Sequence, residues 1–406
     1  MKLAVLGFGT VGRGVYEMLA AAEGLEPGPV LVRPGKDDAP YKRTDIREIA
    51  GDPSVWAVAE VMGGVEPAFT YACTVMKAGK HFITSNKALV AAKGIELQQC
   101  ARENGVAFLF SAACGGAVPF LHNLALAVKS DTIESAGGIL NGTTNYMLDA
   151  MQRRGMDYAD ALADAQRLGY AEKDPTADVS GLDALRKIML ACAVAWGRLP
   201  TQGLLHEGIE QLTAADVRHF QERGYTCRLL ASALPAGDSV SAWVEPVLLR
   251  DGAAECAVLE NYNMARYCGK NAGPMVLMGQ GAGRYPTASA VLRDAGSILQ
   301  GAREMLREGC RCVTADNSAP RHLYYVRCDA AFAASIPAES REEEGGIVRL
   351  LTTQLSVEAM HTMAKEIREK FPHLALHAST QMRIHSFADA EFLKNLGFTR
   401  AALARE

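Results

Sequence analysis

The chain has 406 residues, 49% hydrophobic and 22% charged, and at roughly 150 residues per domain this length calls for two or three domains. That composition excludes a disordered, collagenous or coiled-coil chain. The 42 Lys and Arg against 46 Asp and Glu leave a net charge of -4, which offers no electrostatic footprint for nucleic acid. The longest apolar run, Ile188 to Trp196, falls short of the roughly 18 residues that cross a bilayer.

In chain order, Lys2 to Leu6 reads as a strand, Val11 to Ala22 as a helix, and Pro29 to Val32, Val55 to Met62 and Lys80 to Ser85 as further strands. This alternation predicts a parallel α/β sheet. From about Asp131 the texture turns to α+β, with a strand over Asp131 to Leu140, two long helices within Met156 to Trp196, and a strand over Ala242 to Leu249. Gly279 to Gly283 is glycine-rich, and the helical pattern of Ala288 to Leu306 is expected to pack back on the first domain. Thr314 to Arg321 reads as a linker, followed by a strand (His322 to Cys328), a charged loop (Glu339 to Glu344), a strand (Ile347 to Thr353), an amphipathic helix (Ser356 to Lys370) and a strand (Leu374 to His385). Met1-Lys2 leads directly into the first strand, and the ten scattered cysteines read as reduced, mostly buried thiols, so a cytoplasmic protein is expected. Cys310 and Cys312 lack the second pair or the histidines of a zinc site.

Gly7-Phe8-Gly9-Thr10-Val11-Gly12 is a GxGxxG placed between a strand and a helix. Gly7 suits the tight turn, Gly9 lets the backbone approach a pyrophosphate, and Gly12 lets helix and strand pack closely. About 20 residues further on, an Asp or Glu would hold the ribose of NAD. Val32-Arg33 stands there instead, with Lys36, Lys42 and Arg43 beyond, which suits the 2′-phosphate of NADP. Lys87 lies just past the strand end at Ser85, where ligands of open α/β sheets bind.

The richest segment is Gly169 to Lys187. Gly169 is expected to close a helix, Asp174-Pro175 to force a turn, and Ser180 to start the next helix with Asp183 at the capping-box position. Asp183 and Lys187 are four apart and share a helix face that continues with Leu190 and Val194. A helix apolar on every side is buried, so this pair is expected in the interior or a cleft, with Glu172 and Asp178 supplied from the adjoining loop.

Together these residues resemble homoserine dehydrogenase. Blocks similar to that family run in order: Gly7 to Gly12, Glu60 to Ala68, Gly79 to Ala88, Gly138 to Tyr146, Gly169 to Lys187, Gly281-Ala282-Gly283 and Pro286 to Ala290. The resemblance implies an α/β fold of three parts. These are a Rossmann-type nucleotide-binding domain (1-130, completed by the returning helix near 285-306), an α+β catalytic and dimerisation domain (131-284), and a small degenerate ACT-like α+β domain (320-406). It implies interconversion of L-homoserine and L-aspartate 4-semialdehyde with NADP or NAD, in threonine, methionine and isoleucine biosynthesis, by a homodimer or homotetramer.

Carried over by motif, Lys187 and Lys87 are the catalytic lysines. Glu172 and Asp183 hold the substrate, Asp178 shapes the site, and Gly142 and Thr143 line the substrate side. The cofactor contacts are Gly7, Phe8, Gly9, Thr10, Val11, Gly12, Arg33, Gly63, Lys87, Gly169 and Gly281. The chemistry agrees, since a hydroxyl proton must leave as hydride moves, and a lysine in a closed site can handle it. Family members often open a loop for a monovalent cation such as Na+ with a Glu. Ser111 stands at that place here, leaving the main-chain carbonyls of Ser111, Cys114, Gly116 and Val118. The usual Gly-Val-Leu after the first strand of an ACT domain is replaced by Asp329-Ala330-Ala331-Phe332, so threonine feedback is not expected. Two readings compete: another NADP-dependent amino-acid dehydrogenase, for example one acting on aspartate, and a catalytically silent NADP-binding sensor.

Overall fold

Lys2-Leu3-Ala4-Val5-Leu6 forms a strand whose last four residues are buried, as expected of a parallel strand covered on both faces. The computed structural model describes residues 1–35, 38–250, 252–370 and 376–379. The chain divides into two compact units. The first comprises Met1–Ser130, Met189–Leu199 and Gly279–Cys312; the second comprises Asp131–Ile188, Pro200–Met278 and the described residues from Val313 on.

In the first unit, β1 (Lys2–Leu6), β2 (Glu26–Leu31), β3 (Lys42–Arg43), β4 (Val55–Glu60), β5 (His81–Thr84) and β6 (Phe108–Leu109) form one parallel sheet in the order β3-β2-β1-β4-β5-β6. This is the doubly wound order of dinucleotide-binding folds, with its switch point between β1 and β4. The helices are α1 (Thr10–Leu19), α2 (Ile46–Ala50), α3 (Ala68–Lys77), α4 (Lys87–Glu103) and α5 (Phe120–Ala127). A further helix, Arg284–Leu299, packs on α1 so closely that a Cβ on Gly14 would come within 2.8 Å of the Arg284 carbonyl. It stops seven residues short of the expected Leu306, because Gly301 takes φ 95° and turns the chain.

The second unit begins with β7 (Ile133–Ile139) and α6 (Gly142–Arg154). The helix α6 escapes a reading by periodicity because Thr143 through Met151 are all buried, which leaves no polar face to alternate with an apolar one. Next come α7 (Tyr158–Arg167), the short α8 (Thr176–Val179) and α9 (Leu182–Trp196), so one of the two expected long helices is a 10-residue helix and a third, small one intervenes. Ser180 does not cap α9. It ends α8, and Gly181 at φ 84° makes the turn between them, which releases Asp183 from capping.

Beyond β8 (Arg198–Gln202), β9 (Leu205–His206) and α10 (Ala214–Glu222), the strands β10 (Tyr225–Ala236), β11 (Ser239–Arg250) and β12 (Tyr262–Gly269) complete the middle of a mixed sheet. Burial on both faces hides the alternation of β10 and lengthens β11 past its expected ends. The sheet path runs Gly273–Gln280, β12, β7, β10, β11, Leu376–Ser379, Tyr324–Asp329, Ile347–Thr352, Ala338–Glu344. The described residues of the 320-406 segment, expected as a module of its own, join this sheet through Leu376–Ser379. It has a core of Tyr324, Val326, Ile336, Val348, Leu350 and Met360.

Glu339 to Glu344, read as a loop, is an edge strand. Its acidic side chains point to solvent and two of them pair with Arg223 and Arg349, and charges on an edge discourage further strand addition. The rest of the strand expected over Leu374 to His385 lies outside the described residues.

Candidate active site

At the switch point of the first sheet, Gly7 takes φ 99° and its N–H donates to the Leu31 carbonyl at 3.0 Å. A Cβ on Gly12 would lie 2.1 Å from the Gly7 carbonyl, whereas nothing lies within 4 Å of one on Gly9. Gly9 is the N-cap of α1 and offers no side-chain cap, so the first-turn N–H groups face an open approach. A pyrophosphate fits such a helix start. Phe8 is buried against Tyr16, and the Arg13 guanidinium lies 4.7 Å over the Phe8 ring.

Arg33, just past β2, is exposed. Its neighbouring cations are engaged: Arg13 with Asp38, and Arg43 with Glu48 at 3.3 Å. Lys36 lies outside the described residues.

Lys87, half-buried, is the first residue of α4, and Asn86 caps that helix by accepting from Leu89 N–H at 3.1 Å. The neighbouring turn after β4 holds Gly63 at φ 100°. Glu60, a buried acid of this region that sequence reasoning did not single out, accepts from the N–H groups of Met62 (2.6 Å) and Gly63 (3.3 Å).

The 111–118 loop opens with a turn of 3-10 helix, Ser111–Ala113. Ser111, Cys114, Gly116 and Val118 are all buried. The Ser111 hydroxyl and N–H donate to the Asp294 carboxyl at 2.5 and 2.8 Å, and its carbonyl accepts from Cys114 N–H at 3.3 Å. Burial pushes the Asp294 carboxyl up to about 6, against the Ser111 bonds and the Arg293 charge. A Cβ on Gly116 would meet the buried Gly281 carbonyl at 2.7 Å, so the loop and the Gly279–Gly283 stretch lie in direct contact.

In the second unit four side chains from three elements meet. Lys187 Nζ lies 2.7 Å from Asp183 Oδ2 and donates to the Leu140 carbonyl at 2.5 Å. The Asn141 amide donates to Asp183 Oδ2 at 2.9 Å and Asp178 Oδ1 at 2.7 Å, while its oxygen accepts from Thr144 N–H at 2.9 Å and so caps α6. The signal for Asn141 is present in the sequence as an N-cap residue before Gly142-Thr143, although sequence reasoning did not give it a role. Thr143 donates to the Tyr170 carbonyl at 2.6 Å. Gly142 sits where a Cβ would come within 2.5 Å of the Asn261 carbonyl. Gly169 takes φ 77° after α7. Glu172 is exposed on the loop that follows, its carbonyl accepting from Gln166. Lys87 belongs to the first unit and this cluster to the second.

A parallel sheet that crosses over at a glycine turn is the framework of nicotinamide-dependent dehydrogenases, and this chain is built on it. The family model for the NAD binding domain of homoserine dehydrogenase matches residues 7–111, and the one described as homoserine dehydrogenase matches residues 119–295. The homoserine dehydrogenase of Synechocystis sp. is 36% identical over 317 residues, 74% of this chain and 73% of that protein. That of Corynebacterium glutamicum is 39% identical over 327 residues, 76% and 73% of the two chains. Among solved structures, a homoserine dehydrogenase from Thiobacillus denitrificans superposes with a TM-score of 0.80 at 29% identity over 94% of this chain and 98% of that one.

The chain belongs to the homoserine dehydrogenase family. It is an oxidoreductase that interconverts L-homoserine and L-aspartate 4-semialdehyde with a nicotinamide cofactor, a reaction of amino-acid biosynthesis; the aspartate dehydrogenase and silent-sensor readings are not favoured. A model for peptidase family U32 also matches residues 353–406, too small a part of the chain to define a family. Among the described residues no helix is long and apolar enough to cross a membrane.

Proposed function

We propose that Lys187 and Lys87 are the two lysines that act on the reacting hydroxyl, that Asp183 and Glu172 receive the substrate ammonium group, and that Asp178 shapes the pocket with Gly142 and Thr143. The observation that carries this reading is the withdrawal of Lys187 and Asp183 from water, each side chain about 10% exposed. Buried charges are costly unless paired or functional. Asn141 orients both Asp183 and Asp178, and the Leu140 carbonyl and Asp183 aim the Lys187 ammonium. When bound, the nicotinamide accepts hydride in oxidation and supplies it in reduction. The chain's own part is to hold the hydroxyl, take or return its proton and fix the amino acid. Lys187→Ala and Lys87→Ala are each expected to lower kcat by about 10²–10⁴-fold; cofactor binding, measured by calorimetry, is expected to change less in Lys187→Ala, because Lys87 is also a cofactor contact in this reading. Turnover within about threefold of wild type in both variants would remove the assignment.

The cofactor contacts in this reading are Gly7 through Gly12, Arg33, Gly63, Lys87, Gly169 and Gly281, with NADP preferred over NAD through the exposed Arg33. The 111–118 loop is assigned a monovalent cation such as Na+ on carbonyls of Ser111, Cys114, Gly116 and Val118. Their common burial supports it, and the Ser111 carbonyl bond to Cys114 N–H weighs against strong binding. The three-part division at 1-130, 131-284 and 320-406, a homodimeric or homotetrameric assembly and a cytoplasmic setting complete the proposal.

A further inference from the structure

Two turns leave the C-terminal edge of the first sheet side by side: residues 61–64 after β4, which carry Gly63, and residues 85–86 after β5, which lead into Lys87. Ligands of open parallel sheets bind along that edge. Glu60, the last residue of β4, is 0% exposed and ties the two turns together. Its Oε1 accepts from Met62 and Gly63 N–H at 2.6 and 3.3 Å, and its Oε2 accepts from the Thr84 hydroxyl at 2.6 Å. Thr84 Oγ1 accepts from Asn86 N–H at 2.9 Å, and the Asn86 amide donates to the Gly64 carbonyl at 2.5 Å. The ring of bonds therefore starts on the first turn, crosses to the second and returns. Asn86 caps the helix that Lys87 begins.

The rest of β4, Val55-Trp56-Ala57-Val58-Ala59, is free of charge. Taking a carboxyl group out of water is costly unless its oxygens are hydrogen-bonded, so a strand end that needed only to be filled is better served by an apolar side chain. We propose that Glu60 is a positioning residue for the reaction, acting through Thr84 on Asn86 and Lys87 and directly on the Met62–Gly63 main chain, which would hold the cofactor. It touches neither substrate nor reacting atoms. The proposal rests on the assignment of Lys87.

Thr84 separates positioning from packing. Thr84→Val keeps the volume and loses the hydroxyl; Thr84→Ser loses a methyl group and keeps the bridge. In the full-length enzyme, Thr84→Val is expected to lower kcat by about 10- to 100-fold, the scale of a displacement of about 1 Å in a catalytic group, while Thr84→Ser stays within about threefold of wild type. Glu60→Gln, which cannot accept all three bonds, is expected to match Thr84→Val in kcat and also to weaken NADP+ binding measured by calorimetry. Activity that follows volume, with serine impaired and valine fully active, would overturn the proposal, as would equal impairment of the two variants with the melting temperature falling in parallel. Should Glu60→Gln fail to fold, the Thr84 pair still decides. Lys87→Ala is run alongside: if that variant alone keeps wild-type turnover, the assignment of Lys87 has failed, whatever Thr84 shows.

Discussion

Asp183 and Lys187 sit one helical turn apart on α9 with 2.7 Å between Oδ2 and Nζ, and each side chain is about 10% exposed. An i,i+4 pair in water contributes a few tenths of a kcal/mol. A buried pair behaves differently, because removing one member leaves the other charge without its partner at a cost of about 3–5 kcal/mol. Asp183→Leu alone is thus expected to destabilise the protein by about that amount in urea unfolding. The double variant Asp183→Leu/Lys187→Met is expected to recover most of the stability and none of the activity. A double variant as unstable as the single one would show that the pair serves packing.

Asn141 reaches two carboxylates with one amide. Asn141→Ser keeps a side-chain oxygen for the α6 cap and removes both amide N–H donors, leaving one hydroxyl on a shorter side chain. Hydrogen bonds to charged groups are worth about 1.5–3 kcal/mol, so kcat/KM for homoserine is expected to fall about 10- to 100-fold. Cofactor affinity should stay near that of wild type. Equal losses for homoserine and cofactor would point to a general disturbance of α6.

Arg33 is exposed beyond β2, while Arg13 and Arg43 are held by Asp38 and Glu48. A guanidinium makes paired bonds to a phosphate, so Arg33→Ala is expected to lower the ratio of kcat/KM for NADP over NAD. The ratio measured with both nucleotides on both proteins decides it, and an unchanged ratio refutes the role.

Asp294 sets a pH dependence of stability. Its carboxyl is raised from 3.8 to about 6 by burial, so the folded state binds this proton more tightly than the unfolded chain does. The contribution to stability is complete below about 3.8 and is lost as pH rises through about 6. Asp294→Asn does not titrate. The stability of wild type relative to this variant is expected to fall between pH 4 and pH 7 in urea unfolding, and a flat difference would contradict the assignment.

Of the Asp329-Ala330-Ala331-Phe332 stretch, Asp329 ends the strand Tyr324–Asp329 and the other three residues begin a short helix, Ala330–Ala333. Activity titrated with L-threonine to millimolar concentration is expected to show no sigmoidal inhibition, because an effector shifts rate only by binding one state better than another. Strong inhibition would restore a regulatory reading of this segment.

The sequence by itself determined the parallel sheet, the glycine turn, the order of the family blocks and the sharing of a helix face by Asp183 and Lys187. Each depends on near neighbours: a run of β4 or β5 is apolar because both faces are covered, and Gly12 is required because a Cβ would strike Gly7 five residues away. What only the tertiary structure decided involves partners far apart in the chain or burial that removes periodicity. Asn141 meets Asp178 and Asp183 across 37 and 42 residues, and Ser111 meets Asp294 across 183. Glu60 falls inside the strand expected over Val55 to Met62, and its partner Thr84 lies 24 residues away. The helix α6 and the strand β10 carry no alternating pattern, because the interior surrounds them on every side and an amphipathic signal exists only where one face meets water.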